Sequence, residues 1–264
     1  MGAADISTLG MVLAYLPLVL TLLVFRMLRI RMVGTLLVSL GRMSVQLGLV
    51  GLYLTVLFRF DHPALNVGYV LFMTAVANYT VLRSSGLSLR FYTATLPALV
   101  VAIVAVLSFY TLLVFRPEPL YSARYMIPIA GMLLGNSMNR CIVTVERFYS
   151  SIRRDREGFA AYVTFGATVR EAATPYLRSA YRAGIAPVLA NAATMGLVSL
   201  PGMMTGQILG GSEPAVAIKY QIAIILAIFA ATELATVLSV LLSLRRGFDR
   251  FGFLREGMFG RRST

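Results

Sequence analysis

Apolar residues run in long, unbroken stretches along this chain instead of alternating at every second position. Seven stretches stand out, at about 8–28, 35–58, 64–82, 93–115, 123–141, 184–206 and 216–243. Each reaches the ~17 residues that a tilted helix needs to cross a bilayer. A transmembrane β-barrel would instead show alternating segments of ~10 residues. The pattern predicts an all-α polytopic membrane protein with about seven transmembrane helices in a single domain spanning 1–264. The fifth run is the weakest, because Pro128, Gly131 and Gly135 interrupt it. Such residues are tolerated where neighbouring helices satisfy the freed backbone groups.

The polar positions between these runs alternate in charge. Arg26, Arg29 and Arg31 follow the first run, and Arg83 and Arg90 follow the third. A basic block from Arg140 to Arg182 follows the fifth, and the tail after the seventh is again arginine-rich. Arg59 beside Asp61, Arg116 with Glu118, and Glu213 with Lys219 mark the opposite side. Basic loops stay in the cytoplasm, so the N-terminus is expected outside and the C-terminus inside. An odd number of spans requires the same arrangement. The one long hydrophilic stretch, 142–183, is then cytoplasmic. It reads as two helices, the first ending near Phe165 with Gly166 as its stop. Thr168-Val-Arg-Glu171 is a capping box opening the second, which is expected to run to about Ala183 with Gly184 after it. Pro175 falls inside that helix as a candidate kink.

Composition sharpens this picture. Of the 264 residues 58% are hydrophobic and only 13% charged, where soluble domains carry about a quarter charged. The net charge of +13 is almost all arginine and sits between the apolar runs, where it carries topology and not nucleic-acid binding. Lys219 is the sole lysine, and GxxxxGK[ST] is absent, so the chain has no phosphate-cradling ATP loop of its own. One cysteine, Cys141, and one histidine, His62, cannot build a disulfide framework or a His/Cys metal cage. The first 25 residues hold no arginine or lysine, so the first run reads as a resident helix and not a cleaved signal. No HExxH or GxSxG occurs, which leaves catalysis without a candidate.

Polar groups at membrane depth are the strongest functional signals. Glu233 falls near the middle of the seventh run, where a charge costs ~2.5–3.5 kcal/mol on insertion scales. It reads as an oxygen ligand for a metal, a proton carrier, a partner for Arg42, or a protonated carboxyl bonding a neighbouring helix. Asn136 and Asn139 lie one turn apart on the fifth run. Asn191, Asn78 and Gln46 add one amide each to the sixth, third and second runs. Interhelical hydrogen bonding is the plain reading for these amides. Met126, Met132, Met138, Met195, Met203 and Met204 cluster in runs five and six. Thioethers suit soft ions such as Cu(I), and they are also adaptable core fillers. Pro201-Gly202, with Gly206, Gly210 and Gly211, reads as a broken helix lining a pathway or as a helix end packed closely on its neighbours.

Several of these segments together resemble a known family. Glu157-Gly-Phe-Ala-Ala, Gly166-Ala-Thr-Val-Arg-Glu-Ala and Pro187 are similar to the coupling loop of ABC-transporter permeases. Ile127-Pro-Ile-Ala-Gly-Met-Leu-Leu-Gly-Asn-Ser-Met-Asn139 and the run from Gly196 to Gly211, which contains Ser199, resemble FetB-type iron-export permeases. Lys219-Tyr-Gln221 and Arg42-Met-Ser-Val-Gln-Leu47 fit the same pattern. The resemblance covers nearly the whole chain. It implies the permease subunit of an ABC transporter exporting iron or another metal, with plant relatives linked to aluminium tolerance. It also implies a separate FetA-type cytoplasmic ATPase that holds ATP and Mg, a homodimer of permease halves in the cell membrane, and no cofactor on this chain. The candidate translocation residues are Arg42, Gln46, Met132, Asn136, Asn139, Asn191, Ser199, Pro201, Gly202, Met203, Met204 and Glu233, with Glu233 the one candidate metal ligand. Gly166, Ala167, Thr168, Arg170 and Glu171 form the candidate coupling elbow, within 142–183. The rival readings are a secondary transporter or channel coupled through Glu233, and a receptor without transport.

Overall fold

The computed structural model describes residues 5–249, 251–255 and 259. Every regular element among them is helical, with only isolated β-bridges besides. In chain order these are α1 (Thr8–Leu13), α2 (Leu18–Met27), α3 (Val33–Phe60), α4 (Pro63–Ser85), α5 (Tyr92–Phe109), α6 (Ala123–Arg154), α7 (Arg156–Thr164), α8 (Val169–Thr194), α9 (Gly202–Leu209) and α10 (Pro214–Gly247). A 3-10 turn leads into α5, and a π-helical segment, Tyr110–Phe115, extends it.

Among the described residues five helical segments are long and apolar enough to cross a membrane: Thr8–Met27, Val33–Phe60, Pro63–Ser85, Leu89–Phe115 and Pro214–Gly247. The expected fifth and sixth runs belong to helices that do not end where their apolar stretches do. Helix α6 continues past 141 for 32 residues in all, and α8 joins the expected second cytoplasmic helix to the sixth run as one 26-residue rod. The stop expected at Gly184 is therefore absent, and Gly184 lies buried inside α8. Close packing explains the glycine there: a Cβ would lie 2.3 Å from Thr144 Oγ1 of α6. The sixth run itself breaks after Thr194. Gly196, at φ +87, turns the chain, and its N–H donates to the Ser199 carbonyl before α9 begins at Gly202.

The packed bundle comprises α4, α5, α6, α8 and α10. Helix α5 lies along α10, both α4 and α10 lie on α6, and α8 lies on the outer side of α6. Lipid is as apolar as leucine, so close contact and interhelical hydrogen bonds, not burial from water, hold such helices together. Leu99, Ile103 and Leu133 fill one cluster with Ala227 and Ala231 of α10. Phe148, Tyr149 and Ile152 of α6 fill a second with Ala172, Ala173 and Ala180 of α8 and with Val240 of α10. The alanines let backbones approach. Helices α1 and α2 bury no residue, and α3 buries only Leu57, near Ala123 and Ile127.

Polar side chains fix the two ends of the bundle. Asp61, the left-handed cap of α3, accepts from the Ala123 N–H at 2.7 Å and from Asn66 Nδ2 at 3.0 Å. Its carboxylate thus sits at the N-terminus of α6, where the helix dipole favours negative charge. Asn78 donates to the Tyr92 carbonyl at 3.1 Å and accepts from Thr95 Oγ1 at 2.6 Å, which joins α4 to α5. At the other end of α6, Asp155 caps α7 through the Gly158 N–H and accepts from Tyr176 Oη at 2.7 Å. Burial and this neighbouring carboxylate push the Tyr176 phenol up to about 12.

Candidate translocation site

The centre of the bundle is a polar seam between α6 and α10. Ser137, Arg140 and Cys141 recur at helical spacing on α6, and Thr232, Thr236, Ser239 and Ser243 do the same on α10, all buried, while the buried Thr144 on the same stripe of α6 turns its hydroxyl to Gly184 of α8. Cys141 Sγ lies 3.6 Å from Thr236 Oγ1, and Tyr149 Oη donates to Ser243 Oγ at 2.5 Å. Hydroxyls of this kind bond across helices while letting them approach closely.

Glu233 projects from this seam and meets Arg140, whose Nη1 is 2.5 Å from Oε1. Tyr181 of α8 donates its hydroxyl to the other carboxylate oxygen, Oε2. The Arg140 guanidinium also lies 4.7 Å from the centre of the Tyr181 ring. Three helices therefore converge on one charge pair. The Arg140 side chain is 1% exposed and that of Glu233 is 32% exposed. Arg140 Nε and Nη2 have no hydrogen-bond partner, so the carboxylate is the only counter-charge that this guanidinium has among the described residues.

Arg42, the partner considered for Glu233 in the sequence, is not that partner. It stands exposed on α3 beside the exposed Gln46. Arg140 reads in the sequence as the first member of the cytoplasmic basic block. The signal that finds it is its spacing from Ser137 and Thr144, which puts it on the buried face of α6.

The other candidate residues fall into separate groups. Asn136 and Asn139 are exposed on α6, and Asn136 donates only to the Met132 carbonyl of its own helix. Asn191 is exposed on α8, and Ser199 is exposed in the turn after it. Met132 and Met138 pack against the α5–α10 core, as does Met126. Pro201 and Met204 line a cavity of about 430 Å³ with Met195 and with Gln221 of α10, whose Oε1 is buried without a partner. Met203 is half-buried on α9 and Gly202 is exposed at its start. Of the six methionines, Met126, Met132 and Met138 thus belong to the core, Met195 and Met204 to this cavity, and Met203 to neither. No three His, Cys, Asp or Glu side chains cluster among the described residues.

The glycine stop and the capping box form as the sequence predicts, although 142–183 holds the end of α6, the separate α7 and the start of α8 in place of two helices. Gly166, at φ +91, ends α7, and Ala167 donates its N–H to the Tyr162 carbonyl. Thr168 accepts from the Glu171 N–H, while Glu171 Oε2 accepts from the Thr168 N–H at 2.8 Å. A further bond from the Thr168 hydroxyl to the same oxygen at 2.7 Å helps hold the Glu171 carboxyl below its ordinary range. Arg170 is exposed on the first turn of α8.

A bundle of apolar helices long enough to span a bilayer, joined by a polar seam with an internal charge pair, defines a multi-pass α-helical membrane protein. The family model described as "Uncharacterised protein family (UPF0014)" matches residues 8–248, and the chain belongs to that family. It is 37% identical to the UPF0014 membrane protein YjkA of Bacillus subtilis, covering 76% of this chain and 79% of that one. It is 33% identical to the protein ALUMINUM SENSITIVE 3 of Arabidopsis thaliana, over 79% and 76% of the two chains. It is 28% identical to the probable iron export permease protein FetB of Escherichia coli, over 94% and 95%. No solved structure matches.

Proposed function

We propose that this chain is the membrane subunit of an ATP-driven ABC transporter that exports iron or another metal. Two copies form the two membrane halves. Each crosses the membrane seven times, with α6 supplying the fifth span, the part of α8 after Ala183 together with α9 supplying the sixth, and 142–183 in the cytoplasm. A separate FetA-type ATPase, which carries ATP and Mg, docks on the elbow at Gly166–Glu171. The supporting observation is the continuity of α8. One helix starts at the capped elbow and carries Tyr181, 13 residues further on, to the carboxylate of Glu233. At 1.5 Å per residue that is a rod of about 20 Å between the docking point and the polar seam. Movement of the elbow is thereby delivered to the residues that separate α6 from α10. The name carried by the Escherichia coli relative supports permease work and iron as cargo.

Glu233 serves in this scheme as the fixed counter-ion of Arg140, not as the metal ligand. The cargo instead meets the exposed amides of Gln46, Asn136, Asn139 and Asn191 and the Pro201–Met204 turn. Reconstitution with the partner ATPase in inside-out vesicles tests the proposal, with iron, aluminium and copper offered side by side. ATP-dependent accumulation of a metal, lost without the ATPase, is the expected result. Accumulation driven by a proton gradient with no ATPase present would replace the proposal with a Glu233-coupled secondary transporter.

A further inference from the structure

Three arginines outside the central seam converge on one cavity. Arg147 on α6 faces Arg178 and Arg182 on α8, and together with Ser179 and Pro175 they line a space of about 530 Å³. Arg178 and Arg182 are four residues apart and so share one face of α8. All three side chains are exposed. None takes part in an ion pair among the described residues, where Arg140–Glu233 is the one such pair. No acidic side chain lines the cavity; Glu146, next to Arg147, is not among its walls. The site lies at the arginine-bearing end of the bundle, where α4 and α10 also finish with Arg83, Arg245 and Arg246.

A basic loop that serves topology alone needs no such convergence, because solvated arginines repel one another and spread. Here two helices held together by buried alanines hold the backbone positions of three arginines around one opening. Guanidinium forks match phosphate oxygens in pairs, and three positive charges favour a multiply charged or multi-oxygen anion over a single carboxylate. We infer that the Arg147–Arg178–Arg182 cavity binds a phosphate-bearing anion. Two sources carry that chemistry: the headgroup of an anionic lipid at the membrane surface, and a soluble phosphate compound. The elbow at Thr168 is 10 to 14 residues away along α8, or about 15–21 Å, so an occupant leaves the elbow accessible.

The test uses the full-length protein in nanodiscs and in neutral detergent. In the lipid arm, nanodiscs of phosphatidylcholine with or without phosphatidylglycerol are compared by native mass spectrometry for retained lipid. In the soluble arm, inorganic phosphate and pyrophosphate are titrated against thermal unfolding in detergent free of anionic lipid. Wild type is set beside Arg178→Gln/Arg182→Gln, its charge-preserving counterpart Arg178→Lys/Arg182→Lys, and a control of equal charge change, Arg83→Gln/Arg156→Gln. The glutamine pair should weaken the bound anion about 30-fold, at about fivefold per arginine near a membrane surface. The lysine pair keeps the charge and loses the paired forks, so it should fall between wild type and the glutamine pair, and the control should lose clearly less than the glutamine pair. Loss confined to the lipid arm identifies a headgroup site, and loss confined to the soluble arm identifies a phosphate compound. Equal loss in the control, or no retained anion in either arm with wild type, overturns the inference.

Discussion

Replacing Glu233 with glutamine keeps the side chain's shape and removes its charge. Arg140 would then be a guanidinium with 1% of its side chain exposed, two unpartnered nitrogens and no counter-charge among the described residues. Removing one partner of a buried ion pair costs about 3–5 kcal/mol, mostly because the other charge stays buried and uncompensated. Glu233 is 32% exposed and so less enclosed than Arg140, and the lower end, about 3 kcal/mol, is expected. That is roughly a 150-fold shift in the unfolding equilibrium. Denaturant unfolding of the purified protein in detergent, followed by circular dichroism, measures it. The companion variants are Arg140→Met and the double variant Arg140→Met/Glu233→Met. Replacing both charges with apolar groups should bring stability back to within about 1 kcal/mol of wild type or above it. A Glu233→Gln protein within about 0.5 kcal/mol of wild type would refute the claim that Arg140 depends on Glu233, because surface pairs have that small worth. The same double variant tests Glu233 as a metal ligand. Metal transport retained by the methionine pair excludes that role, whereas loss in a stable protein fits either a ligand or a charged junction needed for motion.

Gly184→Ala should destabilise the α6–α8 contact by about 1–3 kcal/mol through overpacking, since its Cβ would meet Thr144 Oγ1 at 2.3 Å. Adding Thr144→Ala removes that oxygen, which has no partner in wild type, and should recover most of the loss in the same unfolding assay. The elbow should loosen in acid. The carboxyl of Glu171 is held below its ordinary range by the Thr168 hydroxyl and N–H, so its capping contribution is complete above the ordinary carboxylate range. That contribution is lost as pH falls through the lowered value, when the carboxyl takes up a proton. Hydrogen exchange at Arg170–Ala172, corrected for intrinsic rates, should show protection falling in that acid window in wild type and no such fall in Glu171→Gln.

The helical membrane class follows from run length alone, because no other structure satisfies the backbone over 20 apolar residues. The capping box at Thr168 and the stop at Gly166 are equally legible, since each is set by local hydrogen bonding within four residues. What local patterns miss is continuity. The drop in hydropathy after 141 and before 184 looks like two helix ends, yet α6 and α8 pass through both points. A helix leaving a bilayer needs only to exchange apolar for polar side chains, and nothing in the backbone obliges it to stop. Gly184 looks like a terminator when the facing helix is unknown, and becomes a contact point once Thr144 is seen against it. Arg140 was hidden for a related reason. A charge one residue from the end of an apolar run joins its basic neighbours in any linear reading, and only the packing of α10 against α6 turns it inward.

That inward turn explains why the seam is polar at all. An apolar interface between α6 and α10 would hold the two helices by close packing, which resists small displacements because interiors are near crystal density. The seam carries instead several buried hydroxyls, at Ser137, Thr232, Thr236 and Ser239, alongside one strong charged junction at Arg140. Weakly bonded hydroxyls can exchange partners at small cost, whereas the charged junction cannot be broken without leaving a buried charge. Movement delivered by α8 through Tyr181 would therefore shift α6 and α10 about Arg140–Glu233 as a pivot. On this reasoning the pair is kept for where it places the axis of motion, and its position at the meeting of three helices matters more than the strength of either bond.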